Sequence, residues 1–211
     1  MSVKVKICGI TNAADARAAA EAGADMIGLI FYEKSPRHLP LEQAAEVARA
    51  VSPFVLKVGV FVDPEAAEVM EAIRACGLNA LQFHGDESPE FCRQFGVISM
   101  KAFRVRDAES LKALTGYPTD AWLLDACAPA GLGGTGEKFN WDLAIEANKL
   151  GRPIFLAGGL TPDNVGEAVR RVQPFGVDVS SGVESSPGKK DHAKMRAFVA
   201  AAKTAGGSVG K

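Results

Sequence analysis

Short apolar runs alternate with longer amphipathic segments along the whole sequence. The apolar runs cover residues 3–8, 26–31, 55–61, 80–83, 98–103, 121–125, 153–157 and 176–180. Several are almost continuously hydrophobic, as in Val58-Gly59-Val60-Phe61-Val62. Strands that alternate between a buried and a wet face do not read this way. Parallel strands covered on both faces do. Between them lie helical patterns over residues 12–22, 41–51, 63–76, 107–114, 141–149, 162–172 and 191–203, with a shorter helix opening at Ser88-Pro89-Glu90. Thr11 or Asn12 suits the cap of the first helix, Pro40 suits a first turn, and Asp63-Pro64-Glu65 reads as a cap followed by proline. Gly23, Gly77 and Gly151 fall just after helices, where a left-handed residue is needed.

Eight strand–helix units in a chain of 211 residues leave two α/β architectures, an open doubly wound sheet and a closed (β/α)8 (TIM) barrel. The count, the compactness and the lack of a polar edge strand favour the barrel. It is expected as a single domain over residues 1–204, with a flexible tail over 205–211. A barrel of this kind places its chemistry at the C-terminal ends of the strands.

Composition narrows the function. A net charge of −1 gives no reason to bind nucleic acid or anionic lipid. No apolar run approaches the ~20 residues of a spanning helix, and the N-terminus enters a strand without the shape of a signal peptide. A cytoplasmic protein with no membrane association is expected. The cysteines at 8, 76, 92 and 127 have neither C-x-x-C nor zinc-site spacing, and Cys76 and Cys92 read as buried helix residues. The pairs Arg170-Arg171 and Lys189-Lys190 read as solvated charge.

Polar and glycine residues gather at the expected C-terminal strand ends. Cys8 ends the first strand, and residues 33–38, including Arg37, follow the second. His84-Gly85-Asp86-Glu87 follows the fourth, Asp125 ends the sixth, and Gly158-Gly159 follows the seventh. Asp178-Val179-Ser180-Ser181-Gly182 closes the eighth. Glycines in the last two loops expose backbone N–H groups near helix starts, which with the Ser180 and Ser181 hydroxyls suit a phosphate. The formal G-x-G-x-x-G at 131–136 does not follow its strand directly and lacks the acidic partner of a dinucleotide site. Gly133 and Gly134 instead read as part of a loop covering substrate. His84, Asp86 and Glu87 are too few convergent ligands for a catalytic metal. His84 is expected to line the pocket, with Asp86 and Glu87 capping the next helix. In a closed ring Cys8 and Asp125 stand three strands apart, so a thiol and a carboxyl address opposite ends of a small molecule. Proton movement on a phosphorylated small-molecule substrate is the reaction class these residues suggest.

The motifs "VKICGIT" ending at Thr11, "FYEKSPRHL" at 31–39, "VGVFVD" at 58–63 and "LQFHGDE" at 81–87 occur in this order. They are followed by "LLDA" at 123–126, "GGTGEKFNW" at 133–141, "LAGGLTPDNV" at 156–165 and "GVDVSSGVESSPGKKD" at 176–191. With them the chain resembles the phosphoribosylanthranilate isomerase family of tryptophan biosynthesis almost end to end. Phe83 and the Phe139-Asn140-Trp141 sequence are small departures, away from the proposed chemistry. The resemblance implies a (β/α)8 barrel and an Amadori rearrangement of N-(5-phosphoribosyl)anthranilate to the 1-amino-1-deoxyribulose 5-phosphate. It implies Asp125 as general acid, Cys8 as general base and Arg37 as the partner of the anthranilate carboxylate. His84, Gly133, Gly134, Gly158, Gly159, Asp178, Ser180, Ser181 and Gly182 would contact substrate. No metal or organic cofactor is implied, and a monomer or homodimer is expected. Two rivals remain: a phosphosugar isomerase of histidine biosynthesis, for which Asp would be expected at position 8, and a catalytically silent barrel that only binds.

Overall fold

The computed structural model describes residues 2–126 and 141–207. Its centre is a closed barrel of eight parallel strands, ordered β1 to β8 round the ring. The strands are β1 (Lys4–Cys8), β2 (Met26–Ile30), β3 (Leu56–Phe61), β4 (Ala80–Phe83), β5 (Ile98–Val105), β6 (Ala121–Ala126), β7 (Ile154–Ala157) and β8 (Gly176–Val179). Helices α1 (Ala13–Glu21), α2 (Leu41–Arg49), α3 (Ala66–Cys76), α4 (Pro89–Arg93), α5 (Trp141–Asn148), α6 (Val165–Val172) and α7 (His192–Gly207) cover the outside.

The continuous apolar runs resolve into two buried layers, one on each face of the closed sheet. Val5, Ile7, Ile27, Leu29, Leu81, Phe83, Leu124, Leu156 and Val177 face the helices. Met26, Val58, Ala80, Met100, Ala102, Ala121, Leu123, Phe155 and Ala157 fill the barrel. The inner set mixes large and small side chains, which suits packing in a narrow barrel interior. Gly176 shows the constraint: it pairs in register with Phe155, and a Cβ there would collide with the Phe155 ring.

The helix boundaries differ from the expected ones where local hydrogen bonding decides. Helix α3 is capped by Glu65 through a reciprocal pair with Glu68, not by Asp63, which has φ 47° and accepts from the Asp86 N–H at 2.6 Å. Helix α6 starts at Val165, because the Asn164 side chain ties Thr161 N–H and the Gly159 carbonyl into a preceding turn. Residues Glu109–Gly116 form a 3-10 helix, where an α-helix over 107–114 was expected. Leu111, Leu114 and Tyr117 recur every third residue against the core, which matches the three-residue turn. Helix α7 continues past the expected boundary at 204 to Gly207, burying Ala205, with Gly206 against Val3. Residues 208–211 lie outside the described residues.

The segment after β8, a loop by its sequence, has structure of its own. It contains a 3-10 turn (Ser181–Val183) and an antiparallel ribbon of β9 (Glu184–Ser186) and β10 (Lys189–Lys190). The ribbon reverses the expectation that Lys189-Lys190 is solvated charge on a helix. Lys189 is exposed, but Lys190 is buried and pairs with Glu184.

Candidate active site

Period-two alternation along β1 sends Val5 and Ile7 outward and Lys6 and Cys8 inward. Gly28, opposite Cys8 in register on β2, makes room for them. A Cβ there would stand 2.8 Å from Cys8 Sγ and 3.1 Å from Lys6 Nζ. Lys6, with no exposed surface, donates to Asp178 Oδ1 at 2.9 Å from the neighbouring strand β8. Burial pushes the Cys8 thiol above its ordinary range; the Lys6 charge opposes this and Asp178 adds to it. Burial also works against the Lys6 charge, but Asp178 and then Cys8 outweigh it and hold the ammonium above its usual value.

The Arg37 stem crosses directly over Gly9, where φ is +70° and a Cβ would meet Arg37 Cδ and, 3.0 Å away, Ser180 Oγ. The guanidinium then makes a two-pronged pair with Glu184, Nε and Nη2 each at 2.7 Å. Lys190 Nζ reaches the same carboxylate at 2.8 Å and the Ser180 carbonyl at 3.2 Å. Burial alone would raise the Glu184 pKa; hydrogen bonds from Arg37 and Lys190 instead lower it from 4.5 to about 2. A depressed carboxylate stabilises the fold above its unfolded pKa and loses that contribution as pH falls through the folded one. The wild-type unfolding free energy is therefore expected to fall between about pH 4.5 and about pH 2 more steeply than that of Glu184→Gln, measured by urea unfolding at each pH.

Across the mouth, β4 and β6 bring His84 and Asp125 together, with His84 Nε2 3.4 Å from Asp125 Oδ2. Gln82 Nε2 lies 3.0 Å from His84 Nδ1. With the amide donating there, the imidazole proton sits on Nε2, facing the carboxylate. The loop carrying His84 is held from below by Glu87, which was expected to cap a helix. Glu87 is buried instead. It accepts from the Asp63 and Gly85 N–H groups and pairs with Lys101 at 3.2 Å, and Ser88 is the cap of α4.

After β7, Gly158 and Gly159 have φ +78° and +65°, which favours glycine at both positions. Gly182 packs under the Leu160 carbonyl so closely that a Cβ would not fit. The loops after β7 and β8, with Ser180 and Ser181, thus form one surface. Gly133 and Gly134 lie outside the described residues. Among the described residues no three His, Cys, Asp or Glu side chains gather as a metal site, and no helix is long and apolar enough to cross a membrane.

Lys6, Gln82 and Glu184 are not among the residues singled out from sequence, and Lys190 is there only as solvated charge. Lys6 and Gln82 were within reach, since each lies two residues before a named one, Cys8 or His84, on the same strand face. Glu184 and Lys190 meet only through the ribbon.

A closed parallel barrel with a thiol, a carboxylic acid and glycine loops at the C-terminal mouth defines a barrel enzyme equipped for proton transfer on an anionic substrate. Residues 5–201 match the family described as PRAI, N-(5'phosphoribosyl)anthranilate (PRA) isomerase. An N-(5'-phosphoribosyl)anthranilate isomerase of Geobacter sp. (strain M21) is 56% identical over 200 residues, 95% of this chain and 98% of that one. The crystal structure of phosphoribosyl anthranilate isomerase from Thermotoga maritima superimposes with TM-score 0.90 at 42% identity, covering 96% of this chain and 99% of that one. A structure of the isomerase in complex with reduced 1-(o-carboxyphenylamino)-1-deoxyribulose 5-phosphate gives 0.87 at 40% identity with the same coverage. A structure of monomers generated from the dimeric T. maritima isomerase gives 0.86 at 39%, again with that coverage. The chain belongs to the phosphoribosylanthranilate isomerase family of isomerases.

Proposed function

We propose that this chain converts N-(5-phosphoribosyl)anthranilate into 1-(2-carboxyphenylamino)-1-deoxyribulose 5-phosphate, a step of tryptophan biosynthesis, by general acid–base catalysis in the cytoplasm. The observation that carries the reading is the placement of Cys8 and Asp125 at the C-terminal ends of β1 and β6, within a family match that spans the barrel.

Asp125 donates a proton to the furanose ring oxygen as the anthranilate nitrogen pushes its lone pair toward C1. The C1–O bond breaks and an iminium forms. Cys8 thiolate then removes the C2 hydrogen as a proton, and the C2–H electron pair enters a new C1–C2 double bond. The enolamine tautomerises to the ketone. The substrate's own iminium is the electron sink. Arg37 holds the anthranilate carboxylate. Glu184 takes one edge of its guanidinium and fixes the plane, while the other edge carries further N–H donors. The phosphate rests on the loops after β7 and β8, through Gly158, Gly159, Ser180, Ser181 and Gly182. His84 faces Asp125, and Asp178 acts through Lys6. Gly133 and Gly134 belong to the covering loop of the same reading.

The test is product identity. Substrate labelled with ¹³C at C2 should develop a ketone resonance on incubation with the protein. A spectrum unchanged from the protein-free control would remove this substrate. The histidine-pathway aminoaldose would then be tried in its place, and silence with both would leave a binding barrel.

A homodimer is proposed with it. Phe54 is 93% exposed on the N-terminal face of the barrel. Exposed Ile98, Leu150 and Phe175 share that face, each at or just before the start of a strand. A second copy covering this apolar surface leaves both mouths open. Sedimentation should give a dimer for the wild type and a monomer for Phe54→Glu. A monomeric wild type at high concentration would exclude the pairing.

A further inference from the structure

Lys6 is a fully buried ammonium in the inner wall of the barrel, on the same strand face as Cys8. Its proximity to the thiol is geometric. Gly28 offers the space that both Nζ and Sγ occupy, 3.1 and 2.8 Å from where its Cβ would be. Asp178 fixes the ammonium from β8 at 2.9 Å. An apolar pair of similar volume would fill the barrel at least as stably as a buried ion pair. What the charge adds is its effect on the neighbouring sulfur.

We propose that Lys6 is a positioning residue for the isomerisation: its ammonium, clamped by Asp178, is the counter-ion that offsets burial and brings the Cys8 thiolate within reach at the barrel mouth. The proposal rests on Cys8 being the base. The thiol proton leaves to solvent before substrate binds. The thiolate then takes the C2 proton, and the buried set passes from a net charge of −1 (Lys6⁺, Asp178⁻, Cys8⁻) to neutral. Other charges facing Cys8 are Lys190 from the ribbon and Arg37 from the loop after β2. Both are shared with Glu184, whereas Asp178 is the carboxylate that partners Lys6. Burial resists ionisation of the thiol, and Lys6 is the largest influence in its favour.

The test is the pH titration of the Cys8 thiolate by ultraviolet absorbance, taken as the difference from Cys8→Ser, together with kcat and KM. Lys6→Met should raise the midpoint by about 1–2 pH units and lower kcat near neutral pH by about 10–100-fold, with KM little changed. Asp178→Asn should move the midpoint down, because the ammonium keeps Cys8 as its main anionic neighbour. A merely structural pair would not move the two midpoints in opposite directions. Should Lys6→Met fail to fold with Asp178 orphaned, the double variant Lys6→Met/Asp178→Asn, which buries no unpaired charge, should still show the raised midpoint. Midpoints unchanged from wild type in the folded variants overturn the proposal. Wild-type turnover in Cys8→Ser, with the midpoints shifted as expected, would instead overturn Cys8 as the base, so the two failures are told apart.

Discussion

Replacing Cys8 by serine should lower kcat by about 10³-fold while leaving KM within a few-fold of wild type. A thiol ionises near pH 8.5 in its ordinary state, whereas a hydroxyl stays protonated throughout the working range. The serine oxygen can fill the space beside Gly28 and accept a hydrogen bond from Lys6, so substrate can still seat itself. What is lost is the group that takes the C2 proton, which acts only in the transition state. An interaction of that kind appears in kcat and kcat/KM equally. Steady-state kinetics checks this directly. A Cys8→Ser enzyme within ten-fold of wild-type kcat would reassign the base.

Asp125→Asn should cost a comparable factor, about 10²–10⁴-fold in kcat, for a different reason. The amide keeps the shape of the carboxyl and its contact distance to His84, but it has no acidic proton to give to the ring oxygen. Ring opening becomes the slow step. The two variants therefore differ in what deuterium at C2 does. Any isotope effect of the wild type should disappear in Asp125→Asn. A larger isotope effect in Asp125→Asn than in wild type would contradict the assignment of Asp125 to ring opening.

The barrel was legible because burial on both faces leaves a trace in sequence: strands such as Val58-Gly59-Val60-Phe61 carry no polar alternation. Cys76 and Cys92 are buried as read, at 5% and 1% exposure. The strand-end rule also puts Cys8, Arg37, His84, Asp125 and the loops after β7 and β8 on one face. What sequence hid was the wiring beneath that face. Arg37 and Glu184 are 147 residues apart, and their pairing depends on a ribbon whose two strands are only three and two residues long. Lys190 looked like solvated charge because its neighbour Lys189 is, and register within the ribbon sends only one of them inward. Glu87 looked like a cap because it precedes a helix, yet Lys101, fourteen positions further along, draws it into the wall. Alternation along the strand points Lys6 inward, but a lysine seldom lies fully buried, so the residue type argues against the pattern.

The most direct test follows substrate fluorescence by stopped flow after freshly made N-(5-phosphoribosyl)anthranilate is mixed with the protein in the presence of a metal chelator. The account predicts rapid loss of fluorescence with wild type and, after subtraction of the protein-free rate, a loss about 10³-fold slower with Cys8→Ser. Equal decay with both proteins, or none with folded wild type, would contradict it.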